Sequence, residues 1–183
     1  MSRPPLAREK VLDAFERILI EDGERAATMD AAARAAGVSK GGLLYHFGTK
    51  EAMEAALIAR LSELVDADLA AIAAAPEGPV AYFLRSSVME DEPLDRAIIA
   101  ASRLAQSGNA PAIAALHDMR SRWEDALRPH TRDEAALSLV MLVSDGLYFN
   151  NALGGDAPLT VVPDGAALDA LVALVERTVR DPE

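Results

Sequence analysis

The stretch Thr28-Met29-Asp30-Ala31-Ala32-Ala33-Arg34-Ala35-Ala36-Gly37-Val38-Ser39-Lys40-Gly41-Gly42-Leu43-Leu44-Tyr45-His46-Phe47 decides how this chain is read. It divides into a short helix, a tight turn opened by glycine, and a second short helix. Thr28 suits the N-cap of the first helix, which Gly37 ends; Ser39 caps the second, which runs to Phe47. Ala32, Ala33 and Ala36 are small enough to let two helices cross closely. Val38, Leu43 and Phe47 then fill the wedge beneath the turn. This is the arrangement of a helix-turn-helix, whose second helix enters a DNA major groove while the first lies across the backbone.

Outward from that stretch, helical spacing recurs and period-two alternation is absent, so an all-α fold is expected. Upstream, Val11, Leu12, Phe15, Ile18 and Leu19 share one face of a first helix that should stop at Asp22-Gly23. Downstream, Thr49 opens a long fourth helix to about residue 75, with Met53, Leu57, Leu61 and Leu64 on one stripe. Pro76-Glu77-Gly78-Pro79 breaks it. Further helices are expected at roughly 79–89, 93–107, 111–127, 132–153 and 165–180, about nine in all. Pro93 and Pro111 suit first-turn positions, where a missing N–H costs nothing. Thr131-Arg132-Asp133-Glu134 has the spacing of a capping box between Thr131 and Glu134. Gly154-Gly155 should end the most apolar helix, and the stretch to Pro163 reads as a loop. The expected division is a reading domain over residues 1–50, with its motif at 28–47, and a helical body over 51–183.

Charge is distributed to match. Residues 1–50 hold eight Lys/Arg and seven Asp/Glu, a balance of +1. Ten basic and 22 acidic residues lie beyond position 50, a balance of -12 within a net charge of -11. A near-neutral head on an acidic body fits a protein that touches DNA only at its head, because the body is repelled and docking is oriented. The absence of cysteine excludes disulfides, thiolate metal sites and cysteine nucleophiles. No apolar export segment follows Met1, and the apolar run from Ala135 to Leu153 is interrupted by Ser138, Ser144, Asp145, Asn150 and Asn151. A membrane span needs about 20 mostly apolar residues, so that run is expected as a buried helix of a cytoplasmic protein.

The run from Ala35 to Phe47, followed by Thr49-Lys50-Glu51-Ala52-Met53, resembles the signature of the tetracycline-repressor (TetR) family. The resemblance covers residues 8 to 65, about a third of the chain. It implies that Thr28, Ser39, Tyr45, His46 and Lys50 fall where family members contact phosphates. Hydroxyls and a lysine near helix N-termini are suited to donate to phosphate oxygens. It further implies that Lys40, Gly41, Gly42 and Leu44 face base edges. There a lysine can donate to guanine and a leucine can pack on a thymine methyl. Many members carry tyrosine at the position of Leu44 and threonine at that of Gly42; here the aromatic comes one place later, at Tyr45.

TetR-type regulators join such a head to a helical body that dimerises and holds a small effector. The resemblance thus implies a homodimer through the two C-terminal helices, an inverted-repeat DNA operator, and release by an effector. Leu168, Leu171, Val172, Val175 and Val179 form an apolar stripe on the last helix that Leu174 widens. The helix before it is apolar on several faces through Leu137, Val140, Met141, Val143 and Leu147. Candidate effector-pocket residues are Phe83, Met89, Leu104, His117, Arg120, Trp123, Met141, Asp145, Tyr148 and Asn151, which mix aromatic or polarizable walls with a few polar groups. An unpaired buried carboxylate is costly, so Asp145 should find a partner in Arg120 or in the ligand. Catalysis finds no motif. His46, His117 and His130 lie far apart without metal spacing, and neither a cofactor nor a metal is expected. The rival reading is a helical ligand carrier or adaptor without DNA binding.

Overall fold

The computed structural model describes residues 4–88, 91–152 and 163–180. Among them are nine α-helices and one 3₁₀ turn: α1 (Pro4–Glu21), α2 (Met29–Ala36), α3 (Lys40–His46), α4 (Lys50–Ala74), α5 (Pro79–Ser86), α6 (Pro93–Gln106), α7 (Ala110–Leu127), the turn Arg128–His130, α8 (Glu134–Ala152) and α9 (Gly165–Val179). No strand occurs among the described residues.

The apolar spacing of α1 is realised: Val11, Leu12, Phe15, Ile18 and Leu19 are all buried. The helix stops where Gly23 turns to φ +82° and donates its N–H to the Ile18 carbonyl at 3.0 Å. Both expected caps of the motif are in place. The Thr28 hydroxyl accepts from the Ala31 N–H at 3.2 Å, and the Ser39 hydroxyl accepts from the Gly42 N–H at 3.1 Å. Between them Gly37 sits left-handed at φ +66°, and the Val38 N–H returns to the Ala33 carbonyl at 3.0 Å. A Cβ at Gly37 would meet no atom within 4 Å, so a substitution there is opposed by backbone conformation alone. Gly37→Val should therefore destabilise the chain by about 1–2 kcal/mol and Gly37→Asn by much less, read as the shift in urea midpoint. Equal midpoints for the two variants would count against the left-handed turn.

The chain packs as two units with separate cores. The first comprises residues 1–65 and 91–119, the second residues 66–90 and 120–183. In the first, Ala32, Ala33, Leu43 and Phe47 close on α1 and on Met53 and Leu57 of α4. Ala100 and Leu104 of α6 and Ala112 of α7 complete that core. Residues 1–50 are thus roofed by later helices of the same unit. The second core joins Ile72, the α5 residues Val80, Ala81, Phe83 and Leu84, Leu127, the α8 residues Ala136, Leu137, Val140 and Met141, and Val172, Val175 and Val179 of α9.

Two local expectations need correction, one on α4 and one before α8. On α4 the buried stripe passes from Leu61 to Val65, leaving Leu64 half-buried: each four-residue step drifts by about 40° around the helix, so the covered face turns as it runs on. Helix α5 ends at Ser86, within the few residues by which such ends are uncertain. Helix α7 starts at Ala110: the Asn109 side chain accepts from the Ala112 N–H at 3.0 Å, so Pro111 takes the second helical position, inside the first turn as expected. The Thr131–Glu134 capping box does not form. The 3₁₀ turn captures Thr131, whose hydroxyl donates to the Arg128 carbonyl at 3.1 Å, and Glu134 pairs with Arg128. Asp133 caps α8 instead, accepting from the Ala136 N–H at 2.7 Å. That bond to a charged cap holds the Asp133 carboxyl below its ordinary range. The expected stop at Gly154-Gly155 lies outside the described residues.

Candidate nucleic-acid interface

Helix α3 is held from one side and displayed on the other. Leu43 and Phe47 are its anchors, 1% and 2% exposed, and the Arg8 guanidinium stacks over the Phe47 ring at 5.1 Å. The intervening residues turn outward. Tyr45 is 81% exposed and Leu44 46%, and the Tyr45 ring meets the half-buried His46 edge-on at 5.1 Å. Large side chains this exposed on a seven-residue helix add little to the protomer's own stability, so their placement needs another explanation.

The polar candidates surround that face. Thr28 and Ser39 are exposed as well as capping. A hydroxyl has one donor hydrogen besides its acceptor lone pairs, so each remains able to donate outward while it caps. Lys40 is exposed and pairs with Asp30 of α2 at 3.1 Å. An exposed pair of this kind is worth at most about 1 kcal/mol, which leaves the ammonium easy to recruit. The two glycines differ. A Cβ at Gly42 would press on the Ser39 hydroxyl at 3.2 Å, so its small size serves the cap. At Gly41 a Cβ would meet nothing within 4 Å, so only an approaching partner would profit from its absence.

Lys50 is placed differently from the rest. Its side chain is only 26% exposed, and its ammonium donates to the Glu24 carboxylate and, at 3.3 Å, to the Glu24 carbonyl; Glu54 lies 3.9 Å away. Burial raises the Glu54 carboxyl, and the Lys50 charge opposes that rise. Sequence reasoning missed these acidic partners, one of which lies 26 residues away in an irregular segment. It also passed over Arg25 and Arg34, basic residues exposed on the same unit. Helical spacing alone would have placed Arg34 on the outer side of α2, opposite the buried Ala32 and Ala33.

The pocket candidates are not all brought together. Phe83, Trp123 and Met141 meet at the second core, where Phe83 and Trp123 pack edge-on at 5.5 Å and the indole N–H donates to Asp68 at 2.8 Å. Tyr148 is half-buried in the same unit. Leu104 lies buried in the first core, and His117 is exposed in that unit. Asp145 needs correction: it does pair with Arg120, at 2.9 and 3.0 Å, but the carboxylate is half exposed on the outer face of α8. Asp145 therefore carries no burial cost that a ligand would have to relieve. Met89 and the side chain of Asn151 lie outside the described residues. A feature not foreseen is a buried hydroxyl pair, Ser87 and Ser144, 2.8 Å apart.

The α9 stripe assigned to a partner is largely occupied within the protomer. Val172, Val175 and Val179 are buried against α5 and α8, and Leu168 and Leu171 are partly covered. The large apolar residues left exposed on the last two helices are Leu142 (65%), Phe149 (59%) and Leu174 (54%). Among the described residues no group of three or more His, Asp or Glu is placed to hold a metal ion, and no helix is long and apolar enough to cross a membrane.

Comparison with known proteins agrees with this geometry. The family model described as bacterial regulatory proteins, tetR family, matches residues 11–57, and that described as tetracyclin repressor-like, C-terminal domain, matches residues 77–176. The chain is 29% identical over 184 residues to the HTH-type transcriptional regulator BetI of Rhizobium meliloti (strain 1021), covering 94% of this chain and 87% of that protein. Among solved structures it is similar in fold to Salmonella enterica GusR, with a TM-score of 0.68 at 17% identity over 98% of both chains. It is also similar to the ketosteroid transcriptional regulator KstR2 of Mycobacterium tuberculosis, with a TM-score of 0.60 at 17% identity, covering 96% of this chain and 95% of that one.

Proposed function

The chain belongs to the tetR family of bacterial regulatory proteins, and from that premise we propose that α3 reads an inverted-repeat operator through the face marked by Leu44 and Tyr45. The observation that carries this reading is the outward display of those two side chains between the buried anchors Leu43 and Phe47. Lys40 and Leu44 meet base edges, and Gly41 lets the helix approach them closely. Thr28, Ser39, Tyr45, His46 and Lys50 hold phosphates, with Gly42 keeping the Ser39 cap open. Lys50 must exchange its Glu24 contact for a phosphate, or share it.

Two copies associate through α8 and α9 and set their heads about one duplex turn apart. Leu142, Phe149 and Leu174 supply the apolar contacts, since the inner stripe of α9 is already covered. The effector site belongs to the second unit, around Phe83, Trp123, Met141 and Tyr148, with the hydroxyls of Ser87 and Ser144 nearby. Effector binding favours a head spacing that fits DNA poorly, which requires about 1–3 kcal/mol of coupling between the two sites. The protein is then a repressor released by its ligand.

The test is a gel shift across a salt series. Affinity should fall steeply as salt rises, because phosphate contacts release counterions. Lys50→Ala should weaken binding to every sequence and lower the salt slope by about one; an unchanged slope would leave Lys50 as an internal tie to Glu24. Lys40→Ala should relax preference at one base position, and uniform loss across sequences would make it a backbone contact. A ligand carrier or adaptor would give no saturable shift.

A further inference from the structure

Glu16 is a charged residue on the buried face of α1, 6% exposed, and the helix-turn-helix makes no use of it. Its two oxygens are held by guanidiniums from two other helices of the same unit. Arg60 of α4 donates to one at 3.1 Å, and Arg96 of α6 approaches the other at 3.5 Å. The two arginines differ in what else holds them. Arg60 also reaches Glu9 and Asp13 of α1, each at 2.8 Å. Among the described residues Arg96 has besides only the exposed Asp91, through its carboxylate at 3.4 Å and its carbonyl. Asp91 lies just before α6 at φ +59°, the one described residue other than glycine with a positive φ. Without a charge on Glu16, α4 stays tied to α1 through Arg60, whereas α6 loses the ion pair that fastens its first turns to α1.

We propose that Glu16 is a proton-operated latch: its charged carboxylate holds the N-terminal turns of α6 to α1, and protonation releases them. The carboxyl has a route to solvent, since it forms part of the lining of an open groove of about 680 Å³ that Arg60, Arg96 and Asp91 also line. From α1 itself Asp13, Arg17 and Glu21 border the same groove. Helices α2 and α3 also pack on α1, but their opposite charges Asp30 and Lys40 pair with each other at the surface. Burial raises the Glu16 carboxyl above its ordinary range, against the opposing pull of Arg60 and Arg96, and Asp13 adds to the rise. Because the folded value is raised, the folded chain binds more protons than the unfolded one between the ordinary and the raised value. Stability therefore falls as pH rises through that window, and the charged latch costs stability above it. That cost is counted against the unfolded chain; between docked and opened α6 the charge favours docking, because Arg60 holds the carboxylate in both and only docking brings Arg96 to it. The remaining α1–α6 contacts around Ala100 and Leu104 are apolar, so opening stays confined to the first turns of α6.

The consequence for DNA rests on the regulator reading, but the latch is tested without DNA. Amide hydrogen exchange would be measured on the full chain for wild type, Glu16→Gln and Arg96→Gln, beside an NMR titration of the Glu16 carboxyl in wild type. Protection of the amides at 94–98 should fall about tenfold in both variants at neutral pH. In wild type it should fall by a similar factor as Glu16 takes up its proton, with no such step in Glu16→Gln. The Glu16→Gln unfolding midpoint at neutral pH should be unchanged or raised. Equal protection in wild type and both variants would overturn the latch, as would wild-type protection that does not fall when Glu16 takes up its proton. The wild-type exchange series, read against the titration of Glu16, decides the matter even if a variant fails to fold.

Discussion

Phe47→Ala is expected to undo the reading head without altering any residue of its outer face. The ring is 2% exposed, closes the wedge between α3 and α1, and carries the Arg8 guanidinium on its surface. Truncating a buried phenylalanine costs about 3–5 kcal/mol, because the lost transfer energy is joined by a cavity that neighbours only partly refill. Domains of this kind are stable by only about 5–15 kcal/mol, so a large share of the total goes. The urea midpoint followed by far-UV circular dichroism should fall accordingly, and DNA affinity with it. A Phe47→Ala protein as stable as wild type would mean that α3 is not anchored through this ring.

Tyr45→Asp, two residues earlier, should do the reverse. Tyr45 is 81% exposed, and exposed positions of this kind tolerate substitution within about 0.5 kcal/mol. The unfolding midpoint should stay where it is. Affinity for the selected duplex should drop by roughly a hundredfold or more, about 3 kcal/mol, because a carboxylate replaces a donor close to phosphates and is itself repelled. Equilibrium binding at fixed salt measures this directly. The two variants separate folding from reading on a single helix: one loses both, the other only the second. If Tyr45→Asp bound DNA as tightly as wild type, the outward face of α3 would not be the reading face.

The sequence was legible where structure is written locally. Thr28, Ser39 and Gly37 specify caps and a left-handed stop within a few residues of where they act, and the structure follows them. The five apolar positions of α1 follow from one periodicity. Thr131 shows the limit of such reading, since a 3₁₀ turn that spacing does not announce takes its hydroxyl and leaves the cap to Asp133, two residues on. Charged partners are harder, because an ion pair depends on where distant helices come to rest. Arg120 with Asp145 was foreseen, but its exposure was not. Lys50 with Glu24 and Glu16 with Arg60 and Arg96 span 26, 44 and 80 residues, and no periodic signal marks them. The roof of the first core is similar: Ala100, Leu104 and Ala112 are ordinary helix residues until the fold carries them back over α1. The apolar stripe of α9 was visible in sequence, yet sequence could not tell an inner face from an outer one, and only Leu174 faces solvent strongly.

Selection of duplexes from a random pool by the full-length protein tests most directly whether α3 meets DNA. The account predicts enrichment of an inverted repeat with half-site centres about one helical turn apart (~34–36 Å) and a Tyr45→Asp protein that enriches nothing. A pool that stays unenriched through repeated rounds at low salt would contradict it, as would the same sequences emerging with Tyr45→Asp.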